Sequence, residues 1–269
     1  MTGNLVMIPP NRLPTNRIDV IRFVTIIVLA VYACGSNLAG QLVANDLFVV
    51  TEVYQGEQPE PVEIHEIAMV EGVFYDFPSK DDQPWTLFDL PQSRVVLLDR
   101  KRKQRTSIST EDLIRITAQA DAAVTDPDMR RRFGMDGVVE QGSAGELHLT
   151  YDQTRYQVHA ATPERSEWAL QYGQFVDWAC RLNIARPRGV PPFARMRLNE
   201  AMTRQGVYPQ RIEVEMGRKI GVDPTPVIVR LSSRTTLSST INPETRKRIQ
   251  EAHSMRVLFA EIPWDEYEY

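Results

Sequence analysis

Cysteine is almost absent: two in 269 residues, Cys34 and Cys180, too few to build a disulfide scaffold. A surplus of positive charge is also missing. Lys and Arg total 31 against 35 Asp and Glu, a formal net charge of −4, which argues against a general nucleic-acid binder. The chain has no phosphate-binding P-loop, no Gly-x-Gly-x-x-Gly, no His-Glu-x-x-His, no Cys-x-x-Cys and no Gly-x-Ser-x-Gly around its serines. Those absences remove the common motif-bearing enzyme classes, though not every enzyme. Internal repeats and low-complexity segments are lacking too. What is there is an ordinary globular composition, 42% hydrophobic and 25% charged, behind an apolar N-terminal stretch.

That stretch runs over residues 23–34, preceded by Arg17 and Arg22 and followed by Gly35, Ser36 and Asn37. A basic start, a short apolar centre and small residues behind it are the order of a secretory signal peptide. Residues 23–42 also reach the length of about 20 residues that spans a bilayer, although Ser36, Asn37 and Gln41 make the span poor. Residues 1–44 are therefore expected to be a cleaved signal peptide or a retained membrane anchor. Ala33-Cys34 resembles the end of a lipobox, which makes Cys34 a candidate lipidation site, with a chance cysteine in an apolar run as the plainer reading. After removal of residues 1–44, Cys180 would be the lone cysteine and is expected to be buried and inert.

From Asp46 onward, apolar residues alternate as in strands. Short runs near 46–53, 62–69, 73–77, 85–90, 94–99 and 103–108 are separated by Gly, Pro and polar turns, the pattern of an antiparallel meander. The alternation slips at Glu66, suggesting a bulge. Ser109 and Asp112 form a variant capping box for a helix bearing Leu113 and Ile116. Residues 125–145 read as a long loop with a short helix around 129–133. A second hairpin carries Leu147, Leu149 and Tyr151, then Tyr156, Val158 and Ala160. Core-facing parity allows a register that pairs Leu149 with Val158 and His148 with His159. Thr162-Pro163-Glu164 reads as a cap, first-turn proline and acid opening a helix whose stripe is Trp168, Tyr172, Phe175, Ala179 and Leu182. A helix over 191–205, strands over 211–216 and 225–231, and a helix opened by Asn242-Pro243 complete the chain. Strand runs interrupted by helices predict an α+β fold, with residues 45–269 as one domain that could subdivide near 187–192.

His148 and His159 are the best candidate metal ligands, two imidazoles facing across a hairpin. His65, Asp76 and Glu146 are the residues from which further ligands would have to come. An ordinary polar cross-strand pair explains the two histidines more simply. The basic run at 100–105 could meet phospholipid headgroups or nucleic acid, and that at 130–132 could bind anions, but solvated turns and a protected strand edge explain them more simply. Asp76, Asp89 and Asp99 could pair for acid–base work, but they end strands before prolines or charged turns and read more simply as turn formers. Trp168, Trp178 and Phe175 read as core rather than as a stacking platform. No cofactor is expected.

One segment looks familiar: residues 72–77 (Gly-Val-Phe-Tyr-Asp-Phe), then 86–89 (Thr-Leu-Phe-Asp), then 94–99 (Arg-Val-Val-Leu-Leu-Asp) and the basic run at 100–103. This order resembles exported bacterial proteins and the strand meander of lipoprotein-carrier-like half-barrels, the LolA/LolB/LppX type. The resemblance covers residues 46–124 and concerns strands and turns, so it carries over no site residues. It implies a curved, half-barrel-like antiparallel sheet with helices in its concave side and a space between them that accepts acyl chains. Residues 163–205 depart from it, since a helix pair this long could fill that space. The expected function is an exported, non-catalytic protein of the periplasm or cell envelope. It would bind a hydrophobic small molecule or an envelope protein, stay close to the membrane through its N-terminus, and take no nucleic acid. An enzyme with a dispersed, metal-dependent site at His148 and His159 is one alternative, and a purely structural envelope component is another.

Overall fold

The computed structural model describes residues 46–143, 145–187, 190–218 and 227–267. The expected signal or anchor at 1–44, with Cys34, lies outside the described residues. Six strands follow one another: β1 (Leu47–Gln55), β2 (Glu63–Val70), β3 (Val73–Pro78), β4 (Trp85–Asp89), β5 (Arg94–Asp99) and β6 (Gln104–Ser109). Helices α1 (Thr110–Ala123) and α2 (Pro127–Arg132) come next, then β7 (Glu140–Gln141), β8 (Glu146–Tyr151) and β9 (Thr154–Ala161). Helices α3 (Ser166–Ala185) and α4 (Phe193–Gln205) precede β10 (Tyr208–Arg218) and β11 (Val227–Ser238), and α5 (Pro243–Leu258) and β12 (Ala260–Glu261) end the chain.

All twelve strands join one open sheet in the order β12-β6-β5-β4-β3-β2-β1-β11-β10-β9-β8-β7. Every pairing is antiparallel except β12 on β6. The first meander thus starts at the centre of the sheet and walks outward. The second meander starts at the other edge and walks back, and β11 closes onto β1 from Phe48↔Ser238 to Gln55↔Leu231. The fold is α+β: a curved antiparallel sheet packed against several helices. The segment 187–192 does not separate two sheets, because β9 before it pairs with β10 after it. Both edges are two-residue strands, Glu140–Gln141 and Ala260–Glu261, which cover one end of β8 and of β6.

Side-chain parity sorts the core into layers. Leu47, Val49, Ile67, Met69, Phe74, Phe88 and Val95 point to the helices α1 and α3. Phe48, Ala68, Tyr75, Phe77, Leu87, Val96 and Leu98 point to the opposite face, where Ile249 and Ala252 of α5 cover them. With both faces covered, β4 is buried at all five positions and β5 at its four central ones, so alternation gives way to continuous apolar runs. Strands β8 and β9 keep their alternation, and β10 keeps it from Arg211 onward, after a register shift between Pro209 and Arg211. Leu147, Leu149, Tyr156, Val158 and Ile212 meet α4, and the other face is polar.

Local sequence sets the turns and caps. Glu71 and Gly72 both take positive φ, 52° and 80°, as the two-residue hairpin between β2 and β3 requires. Ser109 Oγ accepts from the Asp112 backbone N–H at 2.9 Å, and Asn242 Oδ1 accepts from Thr245 N–H at 2.8 Å. Helices α3 and α4 approach at Gly173, whose carbonyl accepts from Asn199 Nδ2 at 2.8 Å. A Cβ on Gly173 would stand 2.3 Å from Thr203 Oγ1, so glycine permits the contact.

Three expectations are corrected. Strand β2 has no bulge at Glu66; it pairs with β1 in one register, and Glu66 is a polar residue on the α5 face, accepting from Thr245 Oγ1 at 2.7 Å. Helix α3 begins at Ser166 behind Arg165 without a side-chain cap; buried Pro163 belongs to the crossover from β9 to the helix layer. The β8–β9 register is one step tighter than expected. A two-residue turn at Asp152-Gln153, with Asp152 at φ 43°, pairs Tyr151 with Thr154 and Leu149 with Tyr156. Both registers satisfy core parity, and turn length decides between them.

Trp168, Tyr172 and Phe175 are buried together against the sheet, and Phe175 meets Phe88 edge-on at 5.4 Å between ring centroids. Phe88→Ala should therefore cost about 3–5 kcal/mol in urea unfolding, whereas Val257→Ser on the exposed face of α5 should stay within about 0.5 kcal/mol.

Candidate functional site

Helix α3 is a 20-residue span over the sheet, and its two halves carry different side chains. Trp168, Tyr172 and Phe175 in the first half and centre fill the space beneath them. Ala179 and Cys180 in the second half are small. The strands below change in the same direction: β1 runs from Leu47 and Val49 to Thr51, β2 from Met69 and Ile67 to His65, and β11 from Leu237 to Ser233. Short side chains on both sides leave a cavity of about 480 Å³ between helix and sheet. Its walls are mainly apolar, with Val53, Ile67, Tyr156, Phe175, Val176, Ile212 and Leu231 among them. Its polar lining includes Thr51, Ser233, His65, Asp76, Asn183 and Arg195. Val190, Pro191 and Pro192 form one side and also wall a second cavity of about 320 Å³. That second cavity is lined by Ala120, Val124, Phe133, Ile184 and Phe193, so it is almost wholly apolar.

His65 stands where the larger cavity meets a smaller one of about 160 Å³. Its Nδ1 lies 2.7 Å from Asp76 Oδ1 and its Nε2 lies 3.0 Å from Glu63 Oε1. Lys80 Nζ reaches the other Glu63 oxygen at 3.2 Å. Burial by itself would push the imidazole's pKa down, but the charge and hydrogen bond of Asp76, with those of Glu63, outweigh it and hold His65 at about 10. The hydrogen bond from His65, opposed by burial, holds Glu63 down at about 2. His65 is thus a fixed imidazolium with both nitrogens engaged, not a base poised near neutrality. The cavity thiol of Cys180 is pushed up to about 11 by burial and stays protonated.

The candidate ligands His148 and His159 lie on the polar face of the second meander, away from this cavity. His148 sits across from Gln157, and His159 sits across from Glu146, because the turn is tighter than expected. Both point at the same carboxylate: Glu146 is 3.7 Å from His148 Nε2 and 3.6 Å from His159 Nδ1. No set of three His, Cys, Asp or Glu side chains among the described residues is arranged to hold a metal ion.

The basic runs are largely neutralised within the fold. Arg100 stacks on Trp85 at 4.8 Å and pairs with Asp81 at 3.4 Å, and Arg105 pairs with Glu261 at 2.8 Å. Arg130 forks between Asp121 and Asp136, and Arg131 faces Asp128. Among the strand-end acids, Asp99 does form a turn, accepting from the Arg102 backbone N–H at 2.8 Å. Asp89 does more: it is 3% exposed, receives Arg256 at 2.8 Å, and so ties α5 to β4. Asp76 also does more, through His65.

The sequence reading missed Arg195 entirely and left His65 and Asp76 as unpaired candidates. A signal for the second existed. The Glu71-Gly72 turn pairs Ile67 with Asp76 and Pro78 with His65, which puts His65 and Asp76 on one face as diagonal neighbours. In comparisons with known proteins, no family model matches this chain, and no curated protein matches it significantly.

The His65 cluster has a defined pH signature. His65 is raised, so its contribution to stability is complete below pH 6.5 and is lost as pH climbs toward 10. Glu63 is lowered, so its contribution is complete above pH 4.5 and is lost as pH falls toward 2. The stability gap between wild type and His65→Gln, measured by urea unfolding across pH, should be widest between 4.5 and 6.5 and narrow on either side.

Proposed function

We propose that this chain is an exported protein of the cell envelope that binds a lipid-like molecule in the cavity beneath α3 and makes or breaks no bond in it. The cavity is the observation that carries the reading. At about 480 Å³ it falls in the range of about 300–1,000 Å³ typical of small-molecule pockets. Mainly apolar walls with a few polar side chains suit an amphiphile better than a sugar or nucleotide. The adjoining apolar cavity of about 320 Å³ gives a hydrocarbon tail somewhere further to go. The strand pattern at 46–124, which resembles lipoprotein-carrier-like half-barrels, supports the same reading, as does the order of residues 1–44 for export.

The titratable groups in the cavity support binding over catalysis. His65 is held charged by two carboxylates and Cys180 is held as a thiol, so neither is an activated base or nucleophile. Among the described residues no helix is long and apolar enough to cross a membrane.

Native mass spectrometry of the full chain, purified from its host, should show an added mass that chloroform–methanol extracts. Ala179→Trp, which places a large side chain from α3 into the cavity, should lower that occupancy at least tenfold while the protein remains folded. A clean unliganded mass would overturn the lipid reading in favour of a structural component. Retained metal, lost together with activity in the His148→Ala, His159→Ala variant, would favour the enzyme instead.

A further inference from the structure

We infer that the ligand of this cavity carries an anionic headgroup and that Arg195, in the first turn of α4, is the residue that binds it. The inference rests on the lipid-binding reading of the same cavity and specifies the chemical class of the ligand.

Arg195 lines the cavity, and its Nη1 is buried with no hydrogen-bond partner. Among the described residues it makes no ion pair, unlike Arg130, Arg181, Arg248 and Arg256, each of which meets a carboxylate. A buried guanidinium nitrogen left unpaired is costly, because desolvation is not repaid by a new hydrogen bond. Among the described residues nothing nearby supplies the missing charge. The groups whose electrostatics Arg195 influences most directly are Tyr156 and Cys180, and burial keeps the phenol and the thiol protonated. Asp177, one turn before Cys180 on α3, is taken by Arg181 at 2.9 Å. Asp76, the one acid lining the cavity among the described residues, is bound by His65.

The cavity therefore holds two cations of different standing. His65 is matched on both nitrogens, while Arg195, a planar donor fork, lines the cavity with its buried Nη1 lacking an acceptor. Carboxylates and phosphates are the groups that satisfy such a fork with two parallel hydrogen bonds. A single-tailed amphiphile ending in either group would place its head at Arg195 and its tail against Val176, Ile212 and Leu231.

Displacement of N-phenyl-1-naphthylamine from the full chain tests this with three probes sharing one oleoyl chain: oleate, oleoyl lysophosphatidic acid and neutral monoolein. Wild type should bind the better anionic probe roughly 10- to 100-fold more tightly than monoolein, the range expected of one charged hydrogen-bonding group. Arg195→Gln should abolish that preference and leave monoolein affinity unchanged, and Arg195→Lys should keep part of it. Preference for oleate assigns a carboxylate, and preference for the lysophosphatidic acid assigns a phosphate. Equal binding of all three probes by wild type, or a preference that survives Arg195→Gln, overturns the headgroup assignment and leaves the lipid reading standing. Loss of monoolein along with the anionic probes in both variants makes Arg195 part of the cavity wall and also overturns it. If wild type takes up neither fluorophore nor probe, the lipid reading itself fails.

Discussion

The contact of Phe175 with Phe74 and Phe88 fixes where α3 lies on the sheet, and the cavity exists because of that placement. The ring centroids stand 5.6 and 5.4 Å apart, with Phe88 edge-on. Pairs of this geometry add about 0.5–1.5 kcal/mol each beyond the area they bury. Trp168 and Tyr172 continue the contact toward the helix N-terminus. A rigid helix pinned over bulky residues at one end stays at the same height along its length. Over Thr51 and Ser233 the strands no longer reach it, and Ala179 and Cys180 do not reach down. The gap is a consequence of side-chain size changing along α3, β1, β2 and β11 together.

The opposite face shows what happens when polar groups on a sheet are fully matched. Helix α5 is seated by Ile249 and Ala252, but its orientation is set by polar ties to the strands. Thr245 and Arg248 meet Glu66, His253 meets the Tyr75 hydroxyl at 3.0 Å, and Arg256 meets Asp89. These ties run along the length of the helix, each joining it to a strand residue on this face or to the end of β4. Glu66 looked like a fault in an alternating strand because its partners lie 179 and 182 residues away. A carboxylate in an apolar alternation signals either an irregular strand or a distant cation, and one sequence alone does not separate the two.

Much of the architecture was legible because local physics decides it. Ser109, Asn242 and the Glu71-Gly72 pair set helix starts and a turn through contacts spanning three residues or fewer, and the structure follows them. The stripe of Trp168, Tyr172 and Phe175 likewise required only helical periodicity. Helix α3's start was misplaced because Pro163 answers to the crossover rather than to the helix, a tertiary demand. The β8–β9 register was misread because parity admits both pairings and only the turn distinguishes them. The pairing of β1 with β11 is not encoded in either strand's pattern. It depends on two meanders finding each other across most of the chain, as Phe48 finds Ser238. The cavity inherits that illegibility, since its walls come from both meanders and from α3.

Arg195 was invisible for a related reason. On the sequence it is one of three arginines in a helix of ordinary polarity, and its neighbour Arg197 uses its guanidinium to cap the Met135 carbonyl. Nothing in the spacing of Arg195 and Arg197 says that one will meet a carbonyl and the other an apolar space. Solvent-exposed cations cost little and need no explanation. A cation turned toward Tyr156 and Cys180 does need one, because a fold selected only for stability would replace it with a residue of similar reach and no charge, or would supply an acid. His65 shows that this chain can supply acids to a cation of the same cavity, since both Asp76 and Glu63 meet it. The unmatched charge at Arg195 is therefore better explained by something that comes and goes than by the fold itself.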